Sequence, residues 1–174
     1  MQVRYDTNAD RVLWQLRTFG GELFAVWLTR RMLQRLWQPF QNMVTQAGIA
    51  RVAPHIQAAQ VLPEAREMLA QAARDRALPS ANFKEPFDTQ AVAQPLGSEP
   101  LLVAAVDLTP GKPGQGMSIR LRDSQGRSLE LRLSDDLATA LTRLIEQALV
   151  EADWGFARPA AAEPAAPVPA SSLN

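Results

Sequence analysis

The chain contains no cysteine and a single histidine, His55, among its 174 residues. Without cysteine it forms no disulfide, offers no thiolate nucleophile and cannot bind zinc or an iron–sulfur cluster through sulfur. One imidazole also leaves little for a metal site or a Ser-His-Asp triad. We therefore assign neither a metal nor a cofactor from the sequence.

The chain also lacks net charge and long apolar runs. Its 18 Lys and Arg residues balance 18 Asp and Glu residues, and 47% of its residues are hydrophobic, as is usual for a globular protein. The first eleven residues, MQVRYDTNADR, contain acidic side chains and no apolar signal segment. We expect a soluble, cytoplasmic protein that does not bind a membrane.

Catalytic motifs are scarce. The glycine-rich segment 111–116 is not a phosphate-binding loop, because Lys112 precedes proline and a predicted strand follows instead of a helix. Asp135 and Asp136 are neighbours in a predicted helix, so their side chains do not face each other, and acids there favour the helix dipole. We expect the protein not to be an enzyme.

The beginning and the end of the chain share one pattern. Segments 12–17 and 24–28 align with 117–122 and 129–133 at one constant offset, and apolar residues recur at every second position, most regularly in the later pair. Each pair of segments predicts a β-hairpin. Each hairpin leads to a hydroxyl residue, Thr29 or Ser134, that is a candidate N-cap, and then to an amphipathic helix.

A further strand is predicted at 101–108, before the second hairpin, and residues 3–5 are its shorter counterpart. The predicted fold class is therefore α+β, built from duplicated βββα-like units with pseudo-two-fold symmetry. Their strands form either one antiparallel sheet or two sheets face to face. We expect a single domain over 1–156, with repeats at about 1–48 and 101–156.

The connecting and terminal segments have distinct compositions. Residues 62–78 predict a helix, and the proline-containing stretch 79–100 predicts an extended strap that is held by Phe83 and Phe87. Pro39 predicts a kink or an early end in the first long helix. Residues 157–174 are rich in Ala and Pro, and we expect them to be disordered.

The two predicted hairpins differ on their outward faces. In the second hairpin this face is polar, whereas in the first it carries Leu13, Leu23 and Trp27. The apolar face needs a cover. Either the middle helix and the strap pack on it, or it binds a partner or a second subunit.

The two long helices also begin differently. Arg30 and Arg31 occupy the positions that Asp135 and Asp136 occupy in the second copy, and Arg35 follows one turn later. Arginine at a helix N-terminus opposes the helix dipole, so helix stability does not explain these residues. We expect them to meet an acidic group on a partner protein, on nucleic acid or on the other half of the chain.

Two functions remain open. The preferred one is a non-catalytic interaction or scaffold protein that binds another protein or a second copy of itself. The alternative is a single-stranded nucleic-acid-binding module that uses the arginines and tryptophans of the first repeat. The predicted partner-binding residues are Leu13, Leu23, Trp27, Arg30, Arg31 and Arg35.

Overall fold

The computed structural model describes residues 1–53, 62–77, 87–112 and 114–155. In these ranges the fold is α+β, with two β-sheets and three helices. In chain order the elements are β1 (Gln2–Asp6), β2 (Arg11–Arg17), β3 (Leu23–Thr29), α1 (Arg30–Val52), α2 (Pro63–Ala77), β4 (Leu101–Leu102), β5 (Ala105–Pro110), β6 (Met117–Arg122), β7 (Ser128–Leu133) and α3 (Asp135–Ala152).

Both predicted hairpins form where the alternating patterns place them. β2 pairs antiparallel with β3, and β6 pairs antiparallel with β7. Gly21 and Gly126 lie in the two turns with φ angles of 82° and 90°, which only glycine adopts readily. The short strand predicted around residues 3–5 is β1, which pairs with β2.

The strand predicted at 101–108 is divided between the two sheets. Leu101 and Leu102 pair in parallel with β3, which makes the first sheet four-stranded in the order β1-β2-β3-β4. From Ala105 the chain pairs with β6 instead, giving a separate sheet in the order β5-β6-β7. Alternation in the sequence indicates a strand but not its pairing partner, and this stretch changes partner after two residues.

Both long helices begin at their predicted N-caps. The hydroxyl of Thr29 accepts a hydrogen bond from the backbone N–H of Met32, and Ser134 accepts one from Leu137, each 3.2 Å long. α1 continues through Pro39 to Val52, so the early end considered for this helix does not occur. The C-cap residue of α3, Asp153, has a left-handed backbone conformation, and Gly155, two positions later, also has a positive φ.

The middle helix forms over almost the predicted range, but it packs elsewhere. α2 lies against α1 and α3 and not on the first hairpin. Gly48 permits this packing, because a Cβ atom built there would lie 2.8 Å from the Cβ of Ala73. The prediction that this helix covers the outward face of the first hairpin is therefore wrong.

The strap joins the first hairpin at the edge of its sheet. The N–H of Val92 donates to the carbonyl of Gly21, and the N–H of Leu23 donates to the carbonyl of Ala93, both at 2.9 Å. The strap therefore pairs with the backbone beside β3. Arg17 also forms an ion pair with Asp88.

A single core contains the apolar faces of both sheets and one face each of α1 and α3. The helices bury in it the stripes that their 3.6-residue periodicity predicts. At its centre the side chains that meet are Trp14, Leu28, Leu36, Phe40, Ile119, Leu121, Leu141 and Ile145.

Several predictions fall outside the described residues. These concern His55, the strap anchor Phe83 and the Ala/Pro-rich tail 157–174. Phe87, the other predicted anchor, is described and half-buried.

Candidate interaction surface beside the start of α1

The outward face of the first sheet contains a row of three apolar side chains. Trp27 lies opposite Leu13 on β2 and beside Leu102 on β4. Leu13 is 4% exposed, Trp27 is half-buried and Leu102 is 40% exposed. The exposed apolar surface of this row is thus found at Trp27 and Leu102. Leu23, 8% exposed, lies further along β3 beside the strap.

Arg30 connects the start of α1 to the other half of the chain. Its guanidinium Nη2 donates a hydrogen bond of 3.2 Å to the backbone carbonyl of Trp154, just beyond the end of α3. This carbonyl lies two residues after Ala152, the last residue of α3. One of the three predicted arginines therefore has a partner within the chain.

The same Trp154 is fixed from a second side by the turn between β1 and β2. Its indole Nε1 donates to Oδ1 of Asp10 at 2.9 Å, and the hydroxyl of Tyr5 donates to the same oxygen at 2.8 Å. The rings of Tyr5 and Trp154 meet edge to face with centroids 5.7 Å apart. We call Tyr5, Asp10, Arg30 and Trp154 the clasp.

The clasp changes the acidity of Tyr5 and Asp10. Hydrogen bonds donated by Tyr5 and by the Trp154 indole lower the pKa of Asp10, and Arg30 adds to this effect. The hydrogen bond to the Asp10 carboxylate raises the pKa of Tyr5. The ionised form of Asp10 is thus the form that holds the clasp together.

Arg31 and Arg35 differ from Arg30. Both are exposed on α1, and neither forms an ion pair with a described carboxylate. The first turn of α1 contains no acidic residue, so the positive end of the helix dipole adds to their charge. This edge of the molecule therefore presents uncompensated positive charge.

An open groove runs beside these arginines, between α1 and the segment that joins the two sheets. Its volume is about 410 Å³, and a smaller depression of about 280 Å³ continues it toward Thr29 and Arg31. Met32, Arg35 and Ala104 line both. We call the two together the α1–β5 groove, and its walls are Thr29, Arg31, Met32, Arg35, Leu36, Pro39, Val103, Ala104, Ala105, Val106 and Leu108.

The structure brings some of the predicted partner-binding residues together and separates others. Arg31 and Arg35 line the groove, and Thr29, two residues beyond Trp27 on the same face of β3, lines it too. Leu13 and Leu23 are buried within the chain, so a partner would meet them only at their margins. Trp14 and Trp37, 2% and 4% exposed, are core residues and offer no surface for base stacking.

Residues on the β5 side of the groove were not found by sequence reasoning. Ala104, Val106 and Leu108 read as ordinary strand residues, and nothing in the sequence places them next to α1. Two weak signals were present. Pro39 interrupts the hydrogen bonding of an apolar helix face, and Ala104-Ala105 interrupts a run of larger apolar residues.

Charged, apolar and backbone groups meet at this surface. It combines guanidinium groups, exposed apolar side chains and a strand edge, with a groove whose described lining contains no carboxylate or imidazole. No group of three or more described His, Asp or Glu side chains is arranged to hold a metal ion. None of the helices within the described ranges has both the length and the apolar character that crossing a bilayer requires.

Comparison of the chain with protein-family models, with curated proteins and with solved structures found no match.

Proposed function

We propose that the protein is a non-catalytic interaction or scaffold protein that binds a protein partner or a second copy of itself through the α1–β5 groove and the adjoining Trp27–Leu102 surface. The observation that carries this proposal is the pair of exposed arginines, Arg31 and Arg35, which face no described carboxylate although Arg31 lies in the first turn of α1 and opposes the helix dipole. An acidic group on a partner would compensate them. We further propose that the protein acts in the cytoplasm.

The two halves of the chain support a related proposal, that the fold consists of duplicated βββα-like units with pseudo-two-fold symmetry. The offset of 105 residues that relates the repeats also relates Gln41 to Glu146, whose side chains are hydrogen-bonded. The same offset relates three pairs of side chains at the centre of the core: Trp14 and Ile119, Leu36 and Leu141, and Phe40 and Ile145. Equivalent residues meet in this way near a two-fold axis.

Given that symmetry, the α1–β5 groove is the feature that distinguishes the two halves. At the position of Arg35, α3 carries Ala140, which is 5% exposed, and α3 packs along β1. In one half, α3 thus fits closely against β1. In the other half, the corresponding helix α1 leaves an open groove beside β5. A duplicated fold needs no such difference for stability, which favours a binding role for the open side.

Size-exclusion chromatography with light scattering tests the proposal on the full chain, on Trp27→Glu and on the double variant R31E/R35E, at low and moderate salt. Arg132→Glu is the matched control, because Arg132 is also exposed without a described ion-pair partner but lies on β7. A dimer that the first two variants convert to folded monomers, while the control remains dimeric, supports self-association at this surface.

If all variants are monomeric, crosslinking from position 35 in cell extract identifies whether a protein is bound there. A defined protein that R31E/R35E loses and Arg132→Glu retains supports the proposal. Absence of both self-association and such a protein overturns it. Binding of a fluorescent single-stranded oligothymidine that weakens in R31E/R35E would instead favour the nucleic-acid alternative.

A further inference from the structure

We infer that the α1–β5 groove binds an extended acidic peptide that adds a strand to the free edge of β5. This inference rests on the proposed function and specifies its partner: a segment with Asp or Glu near one end, followed by small apolar residues at alternate positions.

The backbone of β5 is suited to accept a strand. β5 is the edge strand of its sheet, because β6 is its only neighbour among the described residues. The N–H of Gly111 donates to the carbonyl of Gly116, so in this antiparallel register the backbone groups of Asp107 and Thr109 also face β6. The backbone N–H and carbonyl groups of Val106 and Leu108 must therefore point away from β6.

Val106 and Leu108 both line the groove. They present two N–H donors and two carbonyl acceptors along one edge, which is the pattern that an added strand would pair with. Pro110 has the same outward orientation and has no N–H, so pairing would end there. The strand edge is therefore open over a short length beside α1.

The facing wall on α1 is apolar apart from Arg35, and it has a backbone carbonyl without its usual partner. Pro39 has no N–H, so the carbonyl of Arg35, four residues earlier, receives no hydrogen bond from it within the helix. Met32 and Leu36 complete this wall. Side chains at alternate positions of an added strand would contact it.

Charge identifies the class and the polarity of the peptide. Arg35 lines both parts of the groove, whereas Arg31 lines only the part that reaches Thr29 and Val103, so the positive charge is greater at the Ala104 end than beside Leu108. An acidic side chain would therefore lie at the Ala104 end, and apolar side chains would lie over Val106 and Leu108. A second copy of β5 fits less well, because the one carboxylate that β5 contains, Asp107, is already paired with Arg122 at 2.9 Å.

A displayed library of short random peptides, selected on the full chain at low salt, tests the inference. We expect selected peptides to share an acidic residue followed by alternating apolar residues. Their affinity is then measured by fluorescence anisotropy on purified variants. R31E/R35E should weaken binding about tenfold, and Arg132→Glu should not change it.

Val106→Pro examines the strand edge itself, since proline is tolerated on an edge strand where its missing N–H faces outward. Val106→Ala is the matched control, because it removes the same side-chain contacts but keeps the N–H. We expect peptide binding about tenfold weaker for Val106→Pro than for Val106→Ala. Should Val106→Pro fail to fold, the unaltered protein is tested with two forms of the peptide. One is N-methylated at its odd-numbered residues and the other at its even-numbered residues, and the binding of the two is compared.

The inference of an added strand is overturned if Val106→Pro and Val106→Ala bind the peptide equally well. It is also overturned if the two N-methylated peptides bind equally well. If R31E/R35E still weakens peptide binding in that case, the proposed function survives without the added strand. Selection of peptides that lack acidic residues, or of none above the R31E/R35E background, overturns the inference as a whole.

Discussion

The side-chain amide of Gln41 on α1 donates a hydrogen bond of 3.4 Å to the carboxylate of Glu146 on α3, and the two residues are 105 positions apart. The same offset superimposes the two hairpins in the sequence. Under the proposed pseudo-two-fold symmetry this is a contact between equivalent residues, and it places the axis between the two long helices.

Equivalent core residues should then contribute comparably to stability. Phe40 and Ile145 are 1% and 3% exposed and occupy equivalent positions beside the same small void. We expect Phe40→Ala to lower the free energy of unfolding by about 3–5 kcal/mol and Ile145→Ala by about 2–5 kcal/mol. In the double variant the two losses should differ from additivity by more than about 0.5 kcal/mol, because the side chains share a cavity.

Urea denaturation measures these differences, with Val150→Ala as the control on α3. Val150 is 75% exposed, so its truncation should change stability by less than about 0.5 kcal/mol. Strict additivity of the two core substitutions would contradict a shared packing site.

Tight packing of α2 on α1 gives a second prediction. Gly48→Ala should destabilise the protein although alanine favours helix, since the new Cβ would lie 2.8 Å from that of Ala73. The compensating change Ala73→Gly in the same chain should restore much of the loss. Thermal unfolding of the two single variants and the double variant measures this. A Gly48→Ala variant that is more stable than the wild type would show that the two helices separate at little cost.

Asp10 makes the stability of the protein pH-dependent in a defined direction. Its pKa is lowered in the folded chain from the ordinary value of 3.8. The ionised carboxylate therefore stabilises the fold fully above that value, and this contribution is lost as the pH falls toward the lowered pKa. Asp123 acts in the same direction. Burial alone would raise the pKa of Asp123, but hydrogen bonds from Arg127 and from backbone N–H groups outweigh that effect and lower the pKa.

Asp10→Asn should therefore reduce, without abolishing, the fall in melting temperature between neutral pH and pH 3. Asparagine keeps an acceptor for the Tyr5 hydroxyl and tolerates the left-handed backbone at this position, where φ is 48°. Calorimetry of both proteins across this pH range provides the comparison. An unchanged pH dependence would show that the clasp does not depend on the charge of Asp10.

The local elements could be predicted from the sequence, because their causes are local. Apolar residues at every second position predict both hairpins, and the hydroxyl residues Thr29 and Ser134 predict where both long helices begin. Contacts between distant segments could not be predicted. Neither the change of partner between Leu102 and Ala105 nor the hydrogen bond from Trp154 to Asp10, 144 residues apart, leaves a periodic signal.

The candidate site was predictable only in part, for the same reason. Arg30 and Arg31 stand out in the sequence because they conflict with the helix dipole, a rule that operates within one helix turn, and Arg35 follows them one turn later. The burial of Leu13 depends on neighbours across the sheet, among them Trp27 and Arg4, and the groove depends on how α1 lies beside β5. These are properties of tertiary packing.

The central claim is that Arg31 and Arg35 on α1 serve binding and not folding. Replacing Arg31 by glutamate places a negative charge in the first helical turn, and we expect it to stabilise the protein by about 0.3–1 kcal/mol. Such a variant gains stability while it loses the proposed function.

The most direct test measures stability and binding together in R31E/R35E, with Arg132→Glu as the control. We expect a folded double variant, at least as stable as the wild type by urea denaturation, that binds the second copy, captured protein or selected peptide about tenfold more weakly than the wild type does. A double variant that unfolds, or one that binds as the wild type does, would contradict the claim.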